Sequence, residues 1–383
     1  MPNSALAQVS NAALVSAIML YGFAMLAYAC DFLYNRRQTE VAAPVRPARA
    51  KVNSGVLVGA GAGPDLADHN FGADPADPSE LADLSGLTDG HGSGGSGSAG
   101  VSSAGRAGAG LAGAGLAGAG ASGQPRWPAG PWLRTAFVLT CLGLVVHMGA
   151  IVTRGLAEDR VPWGNMYEFI SAITCAAVLF LTLAAVKFRA YYMGLFVLLP
   201  VVIALAVDVV FIYTPAGAVA PALNSYWIAI HVTGMIIAIG MYIFGAVVTV
   251  LYLMASRHER RVAAGQESAV AGIMAQLPSS TKLDQLAYRA ILFAFPAWTF
   301  AVIAGAIWAD HAWGRYWGWD PKETWSFITW VVYAAFLHAR ATAGWRGRRA
   351  AYIQLLGFAC LMFNLVGVNL WITGLHSYAG LPH

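Results

Sequence analysis

Residues 226–255 read YWIAIHVTGMIIAIGMYIFGAVVTVLYLMA, a run without a single Lys, Arg, Asp or Glu. About 20 largely apolar residues suffice for a helix to cross a bilayer. In lipid the backbone groups of a lone segment must be satisfied within it, and a helix does this. The stretch therefore predicts a membrane-spanning helix. Working outward, seven more stretches qualify, at 12–34, 133–154, 166–186, 191–213, 288–309, 325–343 and 350–373. The expected fold is an all-α integral membrane protein with about eight transmembrane helices.

Composition agrees. The 383 residues are 58% hydrophobic and 11% charged, against about 25% charged for an ordinary soluble domain. Four cysteines, Cys30, Cys141, Cys175 and Cys360, are scattered through apolar stretches with no CxxC or CxxCH. That spacing excludes a disulfide scaffold, a thioredoxin-like reductant and a c-type cytochrome. Met1 to Ser10 carries no basic side chain, unlike the start of a cleavable signal. Residues 1–37 read as an N-terminal transmembrane helix ending at Arg36-Arg37. Residues 38–131 are rich in Ala, Gly, Ser, Pro and Asp and read as a low-complexity linker; its His69 and His91 are expected to have no role. Residues 132–383 form the remaining seven-helix unit.

Basic residues set the orientation. All but four of the 23 lysines and arginines fall on one side of the expected spans. That side should be cytoplasmic, with the linker on it and both termini outside. The four exceptions, Arg154, Arg160, Arg315 and Lys322, share the outer face with segments 155–165, 214–226, 310–324 and 374–383.

The segment 311–330 reads HAWGRYWGWDPKETWSFITW, with tryptophans at 313, 317, 319, 325 and 330. An interfacial aromatic belt explains one or two tryptophans per helix end, not this density. Rings separated by glycines suit a flat platform for a large planar apolar ligand. Asp320, Pro321 and Glu323 also have the positions of a capping-box start to the seventh span. Arg315 and Lys322 are candidates to pair with ligand carboxylates, or with Asp320 and Glu323.

The string WGRYWGWDPKETWSFITWVVYAAFLH, residues 313–338, closely resembles the WWD signature of haem-handling proteins, and within them the CcsA/ResC component of the system II cytochrome c synthase. VPWGNMYEF at 161–169 is similar to that family's N-x-YE motif, and GLHSY at 374–378 to its terminal histidine motif. The resemblance covers about 132–383. It implies that the chain binds haem b at the outer face of the plasma membrane and presents it for attachment to the CxxCH of apocytochrome c. It further implies a synthase shared with a ResB/CcsB-type membrane protein and supplied by thiol-reducing pathway proteins; no nucleic acid partner is expected.

Imidazole is a good ligand for haem iron, and two can close both axial positions. By position alone, His231 and His376 are either such ligands or satisfied polar residues at the interface. The resemblance makes them the outer haem ligands, with Trp313, Arg315, Trp317, Trp319, Asp320 and Trp325 around the haem and Glu168 lining its path. His338 lies roughly 20 Å down the seventh span at 1.5 Å per residue. The resemblance makes it a ligand of a second, inner haem whose other ligand belongs to the partner. His147 either supports the outer site or hydrogen-bonds a neighbouring helix, and the second is favoured. His311 is a substitute ligand, and His258 and His383 have no role. Asp208 is an unpaired-looking acid in the fourth span, as a secondary transporter would use. Asn364 and Asn369 suit interhelical hydrogen bonds. The competing readings are a transporter, a haem exporter without ligation activity, and a b-type electron-transfer subunit. The last needs two matched histidine pairs, which this chain lacks.

Overall fold

The computed structural model describes residues 3–42, 128, 130–219, 221–223, 225–266, 274, 277–342 and 344–376. The chain divides into two compact units, one of residues 1–44 and 123–383, the other of residues 45–122. The second unit lies outside the described residues. With it go most of the expected linker, His69 and His91; His383 lies outside them too.

The described residues of the first unit are helical or in turns and loops. The helices are α1 (Ser4–Ala42), α2 (Pro131–Glu158), α3 (Met166–Phe188), α4 (Gly194–Val207), α5 (Tyr226–Ala263), α6 (Ser280–Trp313), α7 (Pro321–Ala341), α8 (Arg348–Met362) and α9 (Val368–Trp371). A 3₁₀ turn, Tyr191–Met193, leads into α4 and a π turn, Asp208–Ile212, prolongs it; a second π turn, Phe363–Gly367, joins α8 to α9. Seven of the resulting helical segments are long and apolar enough to cross a membrane, and the protein is a multi-pass membrane protein. The remaining expected span, 325–343, falls in α7. Its 21 residues reach about 31 Å at 1.5 Å per residue, but Lys322, Glu323, His338 and Arg340 make it less apolar than the rest.

Helix ends follow local chemistry. Asn165 caps α3 by accepting from the Glu168 N–H, and Ser225 caps α5 by accepting from the Trp227 N–H. The loop expected from residue 310 begins later. α6 continues through His311 to Trp313 and stops at Gly314, whose φ of 71° is left-handed. Glycine takes that conformation without the Cβ penalty.

In lipid, helices associate through close packing rather than through a hydrophobic force. α5 packs along α6, α1 along α2, and α3 fits between α5 and α4. A Cβ on Gly194 would fall 2.0 Å from the Tyr28 ring, so α1 seats against α4 only because that residue is glycine. A second core joins α5, α6 and α7, where Tyr242 and Tyr333 stack at 4.0 Å beside fully buried Trp298 and Phe336. The C-terminal ends of α2, α4, α6 and α9 share one end of the bundle with the N-terminal ends of α3, α5 and α7. This is the tryptophan end. The opposite end carries Arg257, Arg260, Arg261, Lys282, Arg289 and Arg340.

Candidate functional site

At the tryptophan end a cavity, open on one side, lies among α3, α5, α6, α7 and α8. Its wall is largely aromatic and aliphatic. Trp163, Trp298, Trp308 and Trp317 line it, and so do both His231 and His376. The structure thus brings together two imidazoles lying 145 positions apart in the chain.

His231 Nδ1 lies 2.8 Å from the Ala301 carbonyl oxygen. That oxygen can only accept, so Nδ1 carries the hydrogen and Nε2 keeps its lone pair. The ring lies nearly parallel to the Trp308 indole, 7° apart with centroids at 6.2 Å. A Cβ on Gly305 would sit 2.6 Å from this imidazole. Gly305 therefore makes the space in which the ring lies.

His376 is oriented in the same sense. Its Nδ1 is 2.8 Å from Asp320 Oδ2. Asp320 also accepts from the Leu375 N–H at 2.7 Å and from the Lys322 N–H at 3.3 Å. Burial acts to raise its pKa. The hydrogen bonds from His376, Leu375 and Lys322 outweigh burial and hold the carboxyl below its usual range. Asp320 is thus an anion that takes the Nδ1 hydrogen of His376 and again leaves Nε2 free. A histidine that donates one ring N–H to a carboxylate or carbonyl presents the other nitrogen in fixed orientation, as metal-ligating histidines do. Among the described residues no group of three or more His, Cys, Asp or Glu is arranged to hold a metal ion. Two imidazoles held at Nδ1 within an aromatic wall suit an iron whose other four positions are already filled by a porphyrin.

The helix start of α7 and the cavity wall share residues. Asp320 is the N-cap, Pro321 the first helical residue, and Glu323 completes a capping box by accepting the Asp320 N–H at 3.0 Å. Glu323 also accepts from the Gly318 N–H at 2.8 Å and pairs with Arg315 at 3.0 Å. Of the two partners open to Arg315, the structure selects the protein carboxylate.

The tryptophans do not form one flat platform. Trp317 lines the cavity, but Trp319 stands at 90° to it and is 64% exposed, its backbone held at a left-handed φ of 58°. Trp313 packs 4.8 Å from His376 and 4.8 Å from Trp308. Trp325 turns to Phe363 at 4.3 Å and is not on the wall. The capping turn rotates successive side chains away from one another, so a planar surface gives way to a walled cavity completed by other helices. Trp298 and Trp308 were missed from the sequence because each sits alone in an apolar run of α6 and reads there as core.

Glu168 also lies off the cavity wall. Buried, it accepts from Arg160 at 2.8 Å, from Arg154 at 3.2 Å and from the Gly164 N–H at 2.8 Å. It thereby ties down the Trp163-Gly164-Asn165 turn, all three residues of which line the cavity. His147 uses both nitrogens, toward the Tyr21 hydroxyl at 3.3 Å and the Ser171 hydroxyl at 3.1 Å. The favoured interhelical reading therefore describes it. His311 is exposed, with Nδ1 on the Ile307 carbonyl oxygen of its own helix. His338 is exposed on the surface of α7, away from this cavity. Asn364 donates to the Ser326 hydroxyl of α7 at 2.9 Å, and Asn369 donates both to the Leu365 carbonyl oxygen of its own segment and across to Met166 Sδ of α3 at 3.3 Å, so both make the expected interhelical contacts. Asp208 is fully buried and neither carboxyl oxygen has a hydrogen bond.

Fold and site define a class, a multi-pass helical membrane protein with two oriented imidazoles turned into one aromatic cavity. Residues 163–376, more than half of the chain, match the Cytochrome C assembly protein family. The chain belongs to that family and is of the system II CcsA type, with a role in cytochrome c biogenesis. It is 35% identical over 260 residues to the cytochrome c biogenesis protein CcsA of Guillardia theta, covering 64% of this chain and 84% of that relative. The corresponding protein of Gloeobacter violaceus is 33% identical over 290 residues, covering 63% and 85%. That of Chlamydomonas reinhardtii is 41% identical over 163 residues, 43% of each chain.

Proposed function

We propose that this chain binds haem b in the cavity at the extracytoplasmic face of the plasma membrane. There it holds the haem for thioether formation with the CxxCH thiols of apocytochrome c, as the haem-delivering subunit of a cytochrome c synthase. The observation that carries this reading is the pair of histidines on one aromatic wall, each with Nδ1 spent on a protein acceptor and Nε2 free.

Haem supplies the vinyl groups that react, and the protein breaks no bond within it. The work of the chain is positioning. His231 and His376 would take the iron. Asp320 and the Ala301 carbonyl oxygen fix their tautomers, and the tryptophan wall excludes water from the porphyrin faces. Glu168 holds the Trp163–Asn165 turn in place. His338, facing outward from α7, is suited to an inner haem whose second ligand comes from a ResB/CcsB-type partner.

The test is spectroscopic. The chain purified from haem-replete cells should show the Soret band of a bis-imidazole haem. Replacing both His231 and His376 by Ala should abolish it. Colourless wild-type protein, or colour that survives the double replacement, overturns the reading. Co-expression with a ResB-like partner in a host lacking its own system should place covalent haem on a CxxCH reporter.

A further inference from the structure

We propose that Lys322 is the anion anchor of the cavity and that it takes a carboxylate of the bound porphyrin, while Arg315 serves the loop. This rests on the haem-binding reading above and adds which edge of the ligand is held.

Only two basic side chains belong to the tryptophan-rich segment. Arg315 is committed, since its guanidinium pairs with Glu323 at 3.0 and 3.3 Å and lies 5.7 Å from the Trp313 ring centre. Lys322 lines the cavity, and among the described residues no carboxylate lies within ion-pair distance of its ammonium. The two nearby acids are occupied. Asp320 is taken up by His376, Leu375 and the Lys322 backbone, and Glu323 by Arg315, Gly318 and the Asp320 backbone.

Helix energetics does not explain Lys322. It is the second residue of α7, where the helix dipole presents its positive end and favours anions over cations. Asp320 at the N-cap is the nearest negative charge, but it makes no ion pair with this half-buried ammonium, whose head stays open to an incoming anion on a largely apolar wall. A second donor on the same wall is also unspent: Trp163 Nε1 is buried and has no acceptor.

The two propionates of haem b leave one edge of the macrocycle and its vinyls lie elsewhere on the rim. Fixing the carboxylate edge at Lys322 therefore selects which rim positions can face an incoming thiol pair. Lys322 is thus a positioning residue, not one of the reacting groups.

The experiment compares iron protoporphyrin with its dimethyl ester, which keeps iron, ring and vinyls but has no carboxylates. Each is titrated into the haem-stripped full chain and followed by the Soret band. The wild type should bind the free acid about tenfold more tightly than the ester, relative to Lys322→Gln, because a charge-assisted hydrogen bond is lost. Lys322→Gln should show the same bis-imidazole spectrum with both ligands and lose the preference. Lys322→Arg should restore it. A Lys322→Gln chain that keeps the wild-type preference overturns the assignment, as does loss of preference in Arg315→Gln alone. If the wild type forms no bis-imidazole spectrum with either porphyrin, the haem reading itself fails, and the two failures are distinguishable.

Discussion

Two neighbours decide how the candidate ligands present themselves. Gly305 lies against the His231 ring, and a methyl group there would meet it at 2.6 Å. Gly305→Ala is expected to push His231 off its bond to Ala301 and lower haem content several-fold at fixed protein, read from the Soret absorbance. Asp320 has two functions that substitution can separate. Asparagine is as good an N-cap as aspartate but cannot supply the charged acceptor for His376. Asp320→Asn should therefore keep the thermal midpoint of the wild type and weaken haem binding. Asp320→Ala should weaken haem binding and also lower stability by about 1 kcal/mol through loss of the cap. Equal haem affinity in all three proteins would show that the Asp320–His376 contact does not orient a ligand.

At the scale of the element, the loop between α6 and α7 is held by one carboxylate. Glu323 gathers Arg315, Gly318 and Asp320, and the turn it closes carries Trp319 in a left-handed conformation that costs about 1–3 kcal/mol in a non-glycine residue. Glu323→Gln should lower stability by about 1–2 kcal/mol, the scale of losing hydrogen bonds to a charged group. It should also make the loop at exposed Tyr316 more readily cleaved by protease. An unchanged cleavage rate would place the restraint elsewhere. His338 belongs to the same helix but to its other end and outer surface. His338→Ala should leave the haem bound by the isolated chain unchanged and reduce the haem carried by the complex with a ResB-like partner. A loss seen already in the isolated chain would put His338 in this chain's own site.

For the whole molecule, the distribution of charge predicts orientation. In a variant freed of its four native cysteines, a membrane-impermeant maleimide added outside intact cells should label Tyr316→Cys. It should reach Arg260→Cys only after the membrane is opened. The reverse pattern would invert the topology and place the cavity on the cytoplasmic side.

Much of this was legible in the amino-acid order because it depends on neighbours in the chain. Apolar runs such as 226–255 must become helices in lipid, since each has to satisfy its own backbone. Asp320-Pro321-Lys322-Glu323 starts a helix by contacts within one turn, and the motif around it marks the family. The wall of the site was not legible, because Trp298, Trp308 and Gly305 lie in apolar runs and acquire meaning only where α5 and α6 pack. Nor was the division between Arg315 and Lys322. Each could reach Glu323 or a ligand, and only the folded loop assigns that carboxylate to one cation and leaves the other facing the cavity. Local propensity and hydropathy determined the helices and their ends; which side chains meet across them was decided by three-dimensional packing, because those contacts join residues with no relation along the chain.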